Sequence, residues 1–134
     1  MAPIMNGKLI LQLSLFGLAM GVATVFVISS TAEPVFWLAI FIVCAYVIGK
    51  QAGGAYFIHG LLVGLLNSVW VTGAHVLWFD AYMAHHAEEA AMMAGMPLSP
   101  KPMMLVVGPF IGLASGCVLG LFALVASKLQ RKPS

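Results

Sequence analysis

Charge is what this chain has least of. Of its 134 residues, six are Lys or Arg and four are Asp or Glu, so 7% are charged against 62% hydrophobic. A soluble domain carries roughly 25% charged residues. A fold of this size has too little interior to hide so much apolar surface, which excludes an ordinary soluble domain. The basic residues are scattered or terminal and the formal net charge is only +2, so no face is built for nucleic acid. Cysteine is scarce as well. Cys44 and Cys117 both sit deep in apolar runs, without zinc or haem-c spacing, and read as small buried hydrophobes. The chain also lacks Gly-x-Ser-x-Gly, His-Glu-x-x-His, a phosphate-cradling glycine loop before a basic residue, and paired carboxylates inside an apolar run. No catalytic residue is assigned, and an enzyme is not the expected class.

What the chain does have is long apolar runs separated by short polar joints, the pattern of a multi-pass membrane protein. Four runs qualify as spans, at about 9–29, 34–52, 55–79 and 103–127. The second starts at Pro34 behind Thr31 and Glu33 and extends past Lys50, whose long stem can snorkel. Pro109 is expected to kink the fourth. The first two connections are very short, which makes sequential helices antiparallel neighbours. The expected fold is all-α: residues 1–134 form one domain, a bundle of four transmembrane helices with a longer helical outer loop at 80–102.

Basic residues set the orientation. With the N-terminus inside, Lys8, Lys50, Lys128, Arg131 and Lys132 are all cytoplasmic, and only Lys101 lies outside, with Glu33, Asp80, Glu88 and Glu89. The expectation is N-in and C-in, multi-pass, in a bacterial inner membrane. Lys8, the first apolar run and Ser30-Thr31-Ala32 also fit a cleaved signal peptide. That run is about twenty residues, longer than a signal core of roughly 7–15, and it carries its own Gly17-x-x-x-Gly21, so a retained first helix is preferred.

Gly108, Gly112, Gly116 and Gly120 recur every fourth residue and form a groove along one helix face. Among lipid tails, helices associate through close backbone contact, which glycine permits. Gly60, Gly64, Ser68 and Thr72 repeat the spacing on the third helix, as Gly17 and Gly21 do once on the first. Helices 1, 3 and 4 are therefore expected in close contact, and the bulky second helix is left mostly to lipid. Packing within one chain is the leading reading. A self-association face, giving a homo-oligomer or a place in a larger membrane complex, is the other.

Polar groups inside the spans are sparse and uncharged: His59, Asn67 and His75, all on the third helix. Hydrogen bonds to neighbouring helices or interfacial water account for them most simply. A b-type haem shared between subunits would need histidines facing each other. The outer loop is the other unusual region. Its Ala, Glu and Met content favours a helix, a continuation of the third, ending near Gly95 and Pro97. There His85 and His86 both pair with Glu89. Six of the nine methionines lie between Met83 and Met104. No cofactor is expected, yet thioether and imidazole groups together suit Cu(I), so His85, His86, Met92, Met93 and Met96 form a candidate copper set. Protonation of His85 and His86 would offset Asp80, Glu88 and Glu89 and give the loop a pH response.

Two functional classes follow. One is a structural or accessory membrane protein working through helix contacts. The other is a small transporter or channel for an ion or small molecule, linked to copper through the outer loop. Missing intramembrane charge favours the first.

Overall fold

The computed structural model describes residues 5–130, so Arg131 and Lys132, counted above for orientation, lie outside the described residues. All regular structure among those residues is helical: α1 (Gly7–Phe26), α2 (Glu33–Gln51), α3 (Tyr56–Leu77), α4 (Phe79–His85), α5 (Ala87–Ala94) and α6 (Pro100–Gln130). Four of these, α1, α2, α3 and α6, are long and apolar enough to cross a membrane. They alternate in direction. One end of the molecule holds the start of α1, the α2–α3 link and the end of α6, and is called the terminal end. The other, the cap end, holds the α1–α2 link, α4 and α5.

Local chemistry explains the boundaries. Asn6 caps α1, its Oδ1 accepting from the Leu9 amide at 3.0 Å. Pro34 occupies the first turn of α2, where its missing N–H costs nothing. The α2–α3 link turns through Gly53 (φ 76°), Gly54 and then Ala55, the only non-glycine residue described with positive φ (49°). α6 begins at Pro100, earlier than its apolar run, because Pro100 and Pro102 both fit a first turn. It continues through Pro109, which leaves the Leu105 carbonyl without its helical donor.

The expected continuation of helix 3 does not form. The chain breaks at Trp78 (φ −109°, ψ 47°) and again at His86 (φ −130°, ψ 64°), giving two short helices in place of one. His86 is the cause of the second break. It turns inward to bond α1 and the α1–α2 link, and a continuous helix would carry it away from both.

Two packing zones result. At the terminal end, Leu9, Ile10 and Leu13 of α1, Cys44, Ala45 and Ile48 of α2, Val63 of α3, and Leu119 and Ala123 of α6 share one core. At the cap end a smaller cluster gathers Val25, Tyr82 and Met104, with Phe79, Met83 and Met93 against it. Helix 2 faces mostly outward, with only Cys44, Ala45 and Ile48 buried, but the expectation that it is bulky all round needs correcting. Its terminal half presents Cys44, Ala45, Ile48 and Gly49 to the core, and a Cβ on Gly49 would lie 3.0 Å from the Ser127 nitrogen of α6.

Candidate functional site: a cap-end cavity

The small-residue stripes of α3 and α6 lie face to face in antiparallel register. Gly60 meets Gly120, Gly64 meets Gly116, Ser68 meets Gly112 and Thr72 meets Gly108. A Cβ on Gly60 would fall 2.5 Å from the Gly120 Cα, and one on Gly116 would fall 2.6 Å from the Leu61 carbonyl oxygen. Backbone therefore touches backbone, a geometry that also admits Cα–H···O contacts. The α1 pair works against a different face of α3. Gly17 abuts Asn67, and Gly21 abuts Ala74 and the Trp70 carbonyl. Two side-chain bonds fasten this second contact: the Gly17 amide donates to Asn67 Oδ1 at 3.1 Å, and Trp70 Nε1 donates to Ser14 Oγ at 3.2 Å.

His59, Asn67 and His75 of α3 are all engaged, at different depths. His59, fully buried at the terminal end, accepts from the Asn6 amide through Nε2 (3.1 Å). Its Nδ1 must then carry the proton, which it donates to the Ala55 carbonyl at 2.8 Å. At the cap end Thr24 is a hub. Its hydroxyl proton goes to the Met20 carbonyl, so Oγ1 can only accept from His75 Nε2, at 2.8 Å. Its carbonyl, an orphan of the last α1 turn, receives His86 Nε2 at 2.6 Å. Ser30 Oγ bonds the other His86 nitrogen. The rings of His75, Tyr82 and His86 stack in sequence, with centroids 3.9 and 4.2 Å apart. Burial of Tyr82, with Glu33 and Glu89 nearby, pushes its phenol up to about 12.

Between α2, α3 and α6, under α5, lies a cavity of about 720 Å³, within the usual size range of small-molecule sites. Along α3 it is lined by Asn67, Ser68, Val71, Thr72 and His75. The opposite walls are apolar, with Trp37 and Phe41 of α2 and Met103, Met104, Val107 and Ile111 of α6. Met92, Met93 and Met96 roof it, and Glu33, Glu89 and Tyr82 stand at the cap-end rim. Asn67 is 3% exposed, and its Nδ2 has no hydrogen-bond partner. The amide cannot be turned over to mend this, because the Gly17 N–H requires an oxygen where Oδ1 sits.

The candidate copper set is only partly assembled. Met92, Met93 and Met96 line the cavity, whereas His85 is exposed and lies outside its lining. His86 is not outward-facing: it is 2% exposed and both ring nitrogens are bonded. Breaking the helix at His86 also takes His85 off a shared face with Glu89, leaving His86 Nδ1 3.8 Å from Glu89 Oε2. Among the described residues no three His, Cys, Asp or Glu side chains gather as a metal site. His59 and His75 sit at opposite ends of α3, each with an imidazole nitrogen bonded inside the chain. Cys44 is buried and Cys117 partly so, both as free thiols.

Sequence reading missed Thr24, Ser30, Glu33, Trp37 and Tyr82 as cavity or hub residues. One signal existed: His75, Tyr82 and His86 recur at spacings of seven and four, which places rings on one side of a helical path even when that path is broken. A scan against protein-family models finds no match to this chain, and searches of the curated proteins and of the solved structures find none either.

Proposed function

We propose that this chain is a multi-pass protein of a bacterial inner membrane, N-in and C-in, that takes a small amphipathic molecule from the bilayer into the cap-end cavity. Of the two classes above, this is the small-molecule transporter. The observation that carries it is the cavity of about 720 Å³, mostly apolar, with a few polar residues (Asn67, His75, Glu33 and Glu89) in its lining. Its lining residues Val107 and Ile111 are 42% and 60% exposed on α6, so the space is reached from the side that lipid covers. The glycines of α6 are occupied by α3 of the same chain. Self-association would need another surface.

Charge supports the orientation. Lys8, Lys50 and Lys128 stand at the terminal end, while Lys101 shares the cap end with Glu33, Asp80, Glu88 and Glu89. The cap and its cavity rim then face outward.

Liposomes containing the purified protein test the reading. Protein-dependent, saturable movement of an amphipathic dye is expected, and Val107→Trp, which fills the cavity without touching the α3–α6 contact, is expected to block it. Saturable binding without movement would make the protein a binding subunit. Neither binding nor movement, with the protein folded, would overturn the reading.

A further inference from the structure

The cavity is unbalanced in charge. Two carboxylates, Glu33 and Glu89, stand on its rim, and no Lys or Arg lines it. The basic residue of that end, Lys101, is directed elsewhere, with Nζ 5.3 Å from the Phe79 ring. Nor are the carboxylates satisfied from inside the chain. Glu89 Oε2 is buried without a hydrogen-bond partner, its nearest cationic candidate being His86 Nδ1 at 3.8 Å. That nitrogen is already taken by Ser30. Glu33 accepts one bond, from Trp37 Nε1 at 3.1 Å, which holds an indole beside the carboxylate.

Deeper in, Asn67 lines the cavity, 3% exposed and with its Nδ2 unpartnered. A buried donor is seldom left unpaired. Five methionines, Met92, Met93, Met96, Met103 and Met104, share the rest of the lining, and methionine is soft, adaptable and suited to apolar bodies of varied shape.

We infer that the molecule held in this cavity is a hydrophobic organic cation, its ammonium or equivalent head seated between Glu33, Glu89 and the ring of Trp37, its apolar body lying against Met92, Met93, Met103 and Met104. An anionic amphiphile, such as a fatty acid, would place like charge against Glu89. A neutral one would leave both carboxylates without a counter-charge. A cation relieves both, and an aromatic ring beside a carboxylate holds an ammonium better than either does singly.

The inference rests on the cavity reading of the preceding section, and the test separates the two. Tetraphenylphosphonium and tetraphenylborate have nearly the same size and opposite charge. Binding of each to the full-length protein in mild detergent is measured by equilibrium dialysis against empty micelles, beside a neutral naphthylamine dye. The phosphonium is expected to bind saturably and the borate at least about tenfold more weakly. Glu89→Gln and Glu33→Gln keep side-chain size and, at Glu33, an oxygen for Trp37. Each is expected to weaken the phosphonium, and the double variant to erase the preference while the neutral dye still binds. Equal binding of the two ions, or a preference that survives the double variant, overturns the cation assignment and leaves the cavity reading standing. Failure of both ions and the neutral dye brings down the cavity reading as well.

Discussion

The two ends of this molecule are built from the same four long helices and differ in what α2 does. At the terminal end α2 carries small residues at the contact, Cys44, Ala45 and Gly49, and closes on α6 around a fully buried Ile48. Nearer the cap end it carries Trp37 and Phe41, which line the cavity, Phe41 also standing edge-on to Phe122 of α6. The α3–α6 contact runs along both ends, backbone on backbone at Gly60–Gly120 and Gly64–Gly116 and through the Ser68 and Thr72 side chains at Gly112 and Gly108. Backbone contact along one pair thus sets the frame, and side-chain size on a third helix decides where space remains. Among lipid tails no hydrophobic force collapses such a space, because lipid solvates apolar walls as well as leucine does.

The largest expected effect lies in the shared frame. Gly116→Leu pushes a branched side chain into the Leu61 carbonyl, which cannot move without moving α3. Overpacking by single methylenes already costs about 1–3 kcal/mol, and a whole leucine here is expected to abolish the monodisperse, helical protein in detergent. Gly73 is the control. It lies on the same helix as Gly64 with nothing within 4 Å of an added Cβ, and Gly73→Leu is expected to be tolerated. Equal behaviour of the two would remove backbone contact as the frame.

Next comes a pair that probes the two ends directly. Ile48→Ala empties a fully buried site, and Val107→Ala trims a side chain already facing open space. The lost packing at Ile48 is expected to cost roughly 2 kcal/mol, since only dispersion and the new void count inside a bilayer. The loss at Val107 should be under about 0.5 kcal/mol, the range for sites away from tight contacts. Reversible unfolding in mixed micelles measures both, and comparable losses would mean that the cap end is packed like the terminal end.

The spans and the small-residue stripes were legible in the sequence because both are periodic, and a period survives without knowledge of partners. What faces each stripe was not. Gly64 opposite Gly116 requires the antiparallel register, and Gly17 against Asn67 shows that α1 uses a face of α3 distinct from the one that meets α6. The break at Trp78 lacks any glycine or proline to announce it. His86 looked like a solvated loop residue because burial of an imidazole depends on acceptors far away in sequence, here Thr24 and Ser30. The cavity was hidden for a similar reason: it is the difference between two helix faces, and no single segment carries it.

Tyr82 offers a pH probe of the cap end alone. Burial and the neighbouring carboxylates raise its phenol from 10 to about 12 in the folded protein. The folded state therefore keeps this proton longer than the unfolded chain, and the cap loses stability as pH climbs from about 10 towards 12. The phenolate absorbance that disappears in Tyr82→Phe should titrate near the top of that range. An ordinary titration would mean that water reaches the ring stack and that the cap end is open.

The smallest expected effect tests whether the terminal end, being the better packed, stores strain. Ala55 holds φ at 49°, where its Cβ crowds the following carbonyl at a cost of roughly 1–2 kcal/mol. Such a residue persists only where its surroundings over-determine it. Here the Ala55 carbonyl accepts both the His59 amide (3.0 Å) and His59 Nδ1 (2.8 Å), and His59 is itself fixed by the Asn6 amide. Ala55→Gly removes the crowding but loosens the unfolded chain, so a net gain of about 0.5–1 kcal/mol is expected. In a His59→Leu background the cage is gone and the link is free to relax, so the same substitution should gain nothing. If Ala55→Gly stabilises both proteins equally, the strain belongs to the turn alone, and the packed end does not hold it in place.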